Sequence, residues 1–180
     1  VGQSVVKKVK ALGMQILLND PPLERKLRHN DFTDSPLNKL PLHNNDPVRL
    51  LPLDALMDAD IVTIHTPLTR TGSDATFHFF DEARLQKMKA GSLLINTARG
   101  AVVDNQALKA NLRQEKLGAA ILDVWEHEPD FDPELMALTF LATPHIAGYS
   151  LDGKLNAKTQ IYQAFCRFFE ITPKWDPSSL

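Results

Sequence analysis

A chain of 180 residues, 43% of them hydrophobic, has enough apolar surface for one domain with a real core. Its 20 Lys and Arg are dispersed against 22 Asp and Glu, for a net charge of −2, so no basic stripe exists to neutralise phosphates and nucleic acid is excluded as the main partner. No apolar run approaches the ~20 residues of a membrane span, and the single cysteine, Cys166, can build neither an internal disulfide nor a cysteine zinc site, which predicts no metal and a reducing, cytoplasmic setting.

The chain opens VGQSVVKKVKALGMQILLND. Val5, Val6, Val9 and Leu12 recur at helical spacing, with lysines between them, and Gly13 reads as the stop. Met14 to Leu18 reads as a short buried strand with Asp20 just past its end. Helix, strand and acid in that order form the second half of a dinucleotide-binding unit. There the last glycine of G-x-G-x-x-G opens the helix, and an acid about 20 residues on holds the ribose hydroxyls. With Gly2 as that glycine the spacing to Asp20 fits, and Val1 and Gly2 fall at the cofactor. The first strand and the first two glycines are then expected upstream of residue 1. Taken alone, these residues are better explained as an ordinary helix–strand pair with a capping loop, because half a fingerprint is weak evidence.

From Pro21 to Pro52 the sequence is rich in Pro, Asn and Asp and lacks sustained periodicity. It reads as a long surface excursion, with a short helix from Leu53 to Ala59 resuming the fold. Alternation follows. IVTIH (61–65) is a strand, and DEARLQKMKAG (81–91) a helix capped by Asp81 with Gly91 beyond its end. SLLINT (92–97) is a strand, and DNQALKANLRQ (104–114) a helix capped by Asp104. GAAILDVW (118–125) is a strand, TFLATPH (139–145) contains another, and 151–170 is a long amphipathic helix. Near-continuous apolar strands alternating with helices imply an α/β fold, a Rossmann-type doubly wound parallel sheet covered on both faces. The domain is expected over 1–150, incomplete at its N-terminus, with 151–180 as a helix and tail.

In such sheets ligands bind beyond the C-terminal ends of the strands, and polar residue types do cluster there. Asp20 follows the first strand. His65, Thr66 and Pro67 follow the next, Arg99 the next, Asp123 to Glu128 the next, and His145 the last. Arg99 lies in a small-residue turn, where a guanidinium can grip a carboxylate through two parallel hydrogen bonds. Asp123, Glu126 and Glu128 precede Pro129. His145 follows a proline and stands near Gly148, where backbone can approach a ligand. Arg, carboxylate and His together suggest oxidation of an alcohol beside a carboxylate. The His takes the hydroxyl proton, the carboxylate orients the His, and the Arg binds the substrate. Singly, each has a plainer explanation: a satisfied core histidine, a surface acid, a structural ion-pair partner.

The motifs INTARGAVVDNQAL, LDVWEHEP and TPHIAGYS resemble those of the D-isomer-specific 2-hydroxyacid dehydrogenases, from about Val1 through Phe169. The resemblance implies catalytic Arg99, Glu128 and His145, NAD as cofactor, and Asp20 on the ribose. It implies further cofactor contacts at Thr66, Thr97, Ala98, Asp123 and Gly148. NDPP (19–22), HTPLTRTG (65–72) and HIAGYSLDGK (145–154) narrow it to the branch that oxidises 4-phospho-D-erythronate to 2-oxo-3-hydroxy-4-phosphobutanoate in vitamin B6 biosynthesis, with Tyr149 touching substrate. A homodimer in the bacterial cytoplasm is implied as well.

Three departures accompany the resemblance. The resemblance leads to the expectation of substrate-domain residues before residue 1 and of a C-terminal dimerisation domain after residue 180, and the 21–52 excursion is longer than it implies. Asp20 favours NAD over NADP because its carboxylate repels a 2′-phosphate. Arg25, Lys26 and Arg28 nearby read as a solvated charge cluster. The rivals are a relative acting on another 2-hydroxy acid, such as phosphoglycerate or glyoxylate/glycerate, and a non-catalytic NAD(H)-sensing module.

Overall fold

Four short apolar segments pair side by side in chain order: β1 (Ile61–Ile64), β2 (Leu93–Asn96), β3 (Ala119–Leu122) and β4 (Leu141–Ala142). Every pairing is parallel, with Ile61 opposite Leu93, Leu93 opposite Ala119 and Ile121 opposite Leu141. Parallel neighbours need a crossover between them, and helices supply it. The computed structural model describes residues 2–28 and 50–175. The chain falls into two compact units, Val1–Ala142 and Thr143–Leu180.

In the first unit, alternate strand residues turn to one buried face: Val62 and Ile64, Leu94 and Asn96, Ala120 and Leu122. Against it lie Leu85 of α3 (Glu82–Lys87), Leu108 of α4 (Asn105–Arg113) and Leu135 of α5 (Pro133–Leu138), with Val102 and Val103 from a 3-10 turn at Gly100–Val102. Each fully buried aliphatic side chain contributes on the order of 1.5–3 kcal/mol. The caps explain where the helices start. Asp81 accepts from Arg84 N, Asp104 from Gln106 N and Ala107 N, and Asp132 from Glu134 N and Leu135 N.

At the opening, α1 (Gly2–Ala11) buries Val6 against Ile16, Leu18 and Leu23. Gly13, with φ of 75°, ends it as expected. Several expectations need correction. Met14 to Leu18 forms no ladder; it is joined by a single parallel bridge, Leu18 to Leu50, because a strand needs a neighbour along its length and none is paired there among the described residues. The 21–52 stretch, expected as a surface excursion without sustained periodicity, has regular structure at its start. It starts with α2 (Pro21–Arg28), where Asp20 accepts from Leu23 N and two prolines occupy the first turn, a favoured place for them. Residues 29–49 lie outside the described residues. The helix expected at 53–59 is a single 3-10 turn, Leu53–Leu56. Helix α3 also ends at Lys87, before Gly91, because Met88 turns to extended backbone and Lys89 N donates to Met57 O. Helix α5 is an addition to the expected order.

In the second unit, Ser150 caps α6 (Leu151–Phe168) by accepting from Gly153 N at 3.0 Å. Among the described residues no helix is long and apolar enough to cross a membrane.

Candidate functional site

Because β1, β2 and β3 are parallel, their C-terminal ends share one edge of the sheet. Thr66 follows β1, Thr97 to Arg99 follow β2, and Asp123 follows β3. Thr66 Oγ1 is buried with no hydrogen-bond partner among the described residues. His65 beside it is half-buried, and burial holds its imidazole below the usual histidine range. Asp123 is buried, and its backbone N–H donates to Asn96 O at 3.0 Å.

The turn carrying Arg99 is shaped by Asn96, a buried residue at the last position of β2. Asn96 Nδ2 donates to Arg99 O at 3.0 Å, and its Oδ1 accepts from Ala98 N at 3.1 Å. Arg99 is exposed, and one of its N–H groups donates to Ala98 O at 2.6 Å. The next residue is decisive for the geometry. A Cβ built on Gly100 would lie 1.9 Å from the carbonyl oxygen of Trp125. Only a glycine lets the turn after β2 close on the loop after β3.

That loop separates its two acids. Glu128 is exposed, and its Oε1 accepts from Trp125 N at 2.7 Å. Glu126 is half-buried and tied at both oxygens. Its Oε1 accepts from His78 Nε2 at 2.8 Å and its Oε2 from Asn105 N at 2.9 Å. His78, Asp104 and Glu126 bring one ligand-type atom each within 4.8 Å of one another. Sequence inspection passes over His78, whose only local signal is a histidine between aromatic residues. It also passes over Asn96, which a polar residue closing an apolar strand before a tight turn does signal.

The remaining expected residues are placed as follows. Asp20 is exposed and caps α2 through Oδ1 at 2.9 Å from Leu23 N; a carboxylate has further lone pairs with which to accept a ribose hydroxyl. Arg25, expected in a solvated cluster, pairs with Asp74. A Cβ on Gly2 would meet His65 at 3.7 Å, an ordinary contact, so packing here does not demand glycine. Val1 lies outside the described residues. In the second unit, His145 is exposed with φ of 55°, and Tyr149 N donates back to Ile146 O at 2.9 Å. Tyr149 is exposed, with Lys154 Nζ 3.6 Å above its ring. Gly148 has open space where a side chain would start. The structure therefore gathers Thr66, Thr97, Ala98, Arg99 and Asp123 on one sheet edge and fastens the loops of Arg99 and Glu128 together. His145, Gly148 and Tyr149 share a turn of their own.

Residues 1–147 match the family described as D-isomer specific 2-hydroxyacid dehydrogenase, NAD binding domain. Among curated proteins, erythronate-4-phosphate dehydrogenase of Pseudomonas fluorescens is 46% identical over 168 residues, covering 93% of this chain and 40% of its own. The protein of the same name from Hydrogenovibrio crunogenus is 41% identical over 173 residues, covering 96% and 40%. The chain thus spans about two-fifths of the length of these curated relatives. Among solved structures, a glyoxylate reductase from Paecilomyes thermophila superposes with a TM-score of 0.67 at 27% identity, over 89% of this chain and 43% of that one.

Proposed function

Because the chain belongs to the D-isomer specific 2-hydroxyacid dehydrogenases and carries their NAD-binding domain, we propose that it serves NAD-dependent oxidation of 4-phospho-D-erythronate to 2-oxo-3-hydroxy-4-phosphobutanoate. The observation that carries this reading is the closure of Gly100 on Trp125. It holds an arginine turn and an acid loop at adjacent ends of parallel strands, in a chain 41–46% identical to enzymes named for that substrate.

NAD fits the sheet edge on the strength of Thr66 Oγ1, a buried hydroxyl that a ligand seated there would satisfy. Thr66, Thr97, Ala98 and Asp123 are the residues that would hold it, with Asp20 at the ribose and Gly148 as a further contact. When bound, NAD supplies the acceptor for the hydride. Arg99 receives the substrate carboxylate on its planar fork and stabilises charge on the developing carbonyl. His145 takes the hydroxyl proton at a ring nitrogen. Glu128 is the carboxylate of the reaction, and Tyr149 contacts substrate. The same reading carries a homodimer in the bacterial cytoplasm and a small phosphorylated hydroxy acid as partner.

The test gives the complete gene product 4-phospho-D-erythronate and NAD, following NADH absorbance without an acceptor and, with an added 2-oxo acid that takes the hydride back from NADH, the 2-hydroxy acid formed from it. Reduction with this substrate and none with 3-phosphoglycerate is the expected result. Turnover of another 2-hydroxy acid alone would keep the chemistry and discard the substrate. NADH binding without turnover of any hydroxy acid would favour a sensing module.

A further inference from the structure

The segment before α3 is laced to the turn after Arg99. His78 N donates to Ala101 O at 2.8 Å, Phe80 N to Val102 O at 3.0 Å, and Asp104 N to Phe80 O at 3.0 Å. Phe77 stacks on the His78 ring with 4.0 Å between centroids, and the Arg70 guanidinium sits 4.3 Å from the Phe77 centroid. Backbone and ring of His78 are therefore both constrained, and the imidazole stands between two carboxylates. Its Nε2 donates to Glu126 Oε1 at 2.8 Å, since an ionised carboxylate only accepts. Its Nδ1 lies 3.6 Å from Asp104 Oδ2, while Asp104 Oδ1 caps α4.

We propose that His78 is a positioning residue that acts through Glu126, latching the loop that carries Glu128 against the turn that carries Arg99. The proposal rests on the reaction assigned above. Glu126 is held at both oxygens by groups outside its own loop, His78 and Asn105. Asn105 Nδ2 in turn donates to Val103 O at 2.9 Å, within the segment that follows Arg99. Trp125 precedes Glu126 and supplies both the carbonyl under Gly100 and the N–H on Glu128. A movement of Glu126 is thus passed to both loops. The contact made is the latch: with Nε2–H donating to Glu126 Oε1, that ring nitrogen has no lone pair left to offer a cation.

The test compares the complete enzyme with His78→Leu, His78→Gln and Glu126→Gln, reading kcat, KM, NADH affinity and amide hydrogen exchange at Trp125 and Glu126. His78→Leu is expected to speed exchange at those amides and lower kcat ~10-fold or more, with NADH affinity within about threefold. His78→Gln keeps a donor and is expected to recover part of kcat. If His78→Leu does not fold, Glu126→Gln, which preserves size, carries the same comparison. Unchanged exchange would overturn the proposal, as would faster exchange with unchanged kcat. Absence of turnover in the parent enzyme would instead fail the reaction assignment, and the exchange result would then decide the latch.

Discussion

Gly100 faces the carbonyl of Trp125 at a distance that leaves no room for a single added carbon, 1.9 Å from oxygen to a built Cβ. This contact joins the ends of β2 and β3, and the loops that carry Arg99 and Glu128 hang from it. Gly100→Ala must push the turn off the loop, since the obstacle is backbone and cannot rotate away. The variant is expected to lose about 1–3 kcal/mol of stability, the usual cost of overpacking, and most of its turnover. Urea unfolding and steady-state kinetics on the complete enzyme check both.

Asn96 makes a second, independent demand on the same turn. Asn96→Ala removes a buried side chain that pairs with both Arg99 O and Ala98 N. The loss expected is about 1–3 kcal/mol, from backbone groups left unsatisfied. Asn96→Asp keeps an acceptor for Ala98 N but turns a second acceptor toward Arg99 O and buries a charge. Denaturant midpoints of both variants should therefore fall below that of the native protein.

These two residues show what was legible in the sequence. Strand and helix order from Ile61 onward follows from apolar runs and Asp caps, which are local signals. Helix α5 carried the same kind of signal, Asp132 before Pro133, but lies in a short segment beside the acid-rich loop. Met14 to Leu18 misleads because a short apolar run states neither burial nor pairing: Met14 is exposed, Ile16 to Leu18 are half-buried, and the one bridge goes to Leu50. Arg99 and Glu128 are marked as candidates by their motifs alone. The Gly100 closure and the His78–Glu126 bond were not legible, because each joins residues far apart in sequence through contacts that no local pattern encodes.

Asp20 has two tasks in this account. Asp20→Ala removes the α2 cap, worth about 1 kcal/mol, and the carboxylate assigned to the ribose. NAD is expected to bind more weakly, and NADP to gain relative to it. Titrating both cofactors checks the ratio; an unchanged ratio would leave Asp20 with only its capping role.

His65 sets a direction for acid sensitivity. Burial lowers its folded-state pKa below the ordinary 6.5, so below that value the unfolded chain binds more protons than the folded one. Stability is then lost as pH falls through about 6.5 and the loss levels off below the folded-state pKa. His65→Asn, which cannot charge, should flatten that part of the stability profile. Denaturant midpoints measured from pH 7.5 to 5 in both proteins supply the comparison.

The most direct measurement is His145→Ala in the complete enzyme, with turnover and NAD affinity determined on the same preparation. A general acid–base of this kind contributes roughly 10²–10⁴-fold. The account predicts a fall in kcat of that order with NAD affinity nearly unchanged. Turnover at the parent rate would remove His145 from the chemistry and contradict the reaction assigned to this chain.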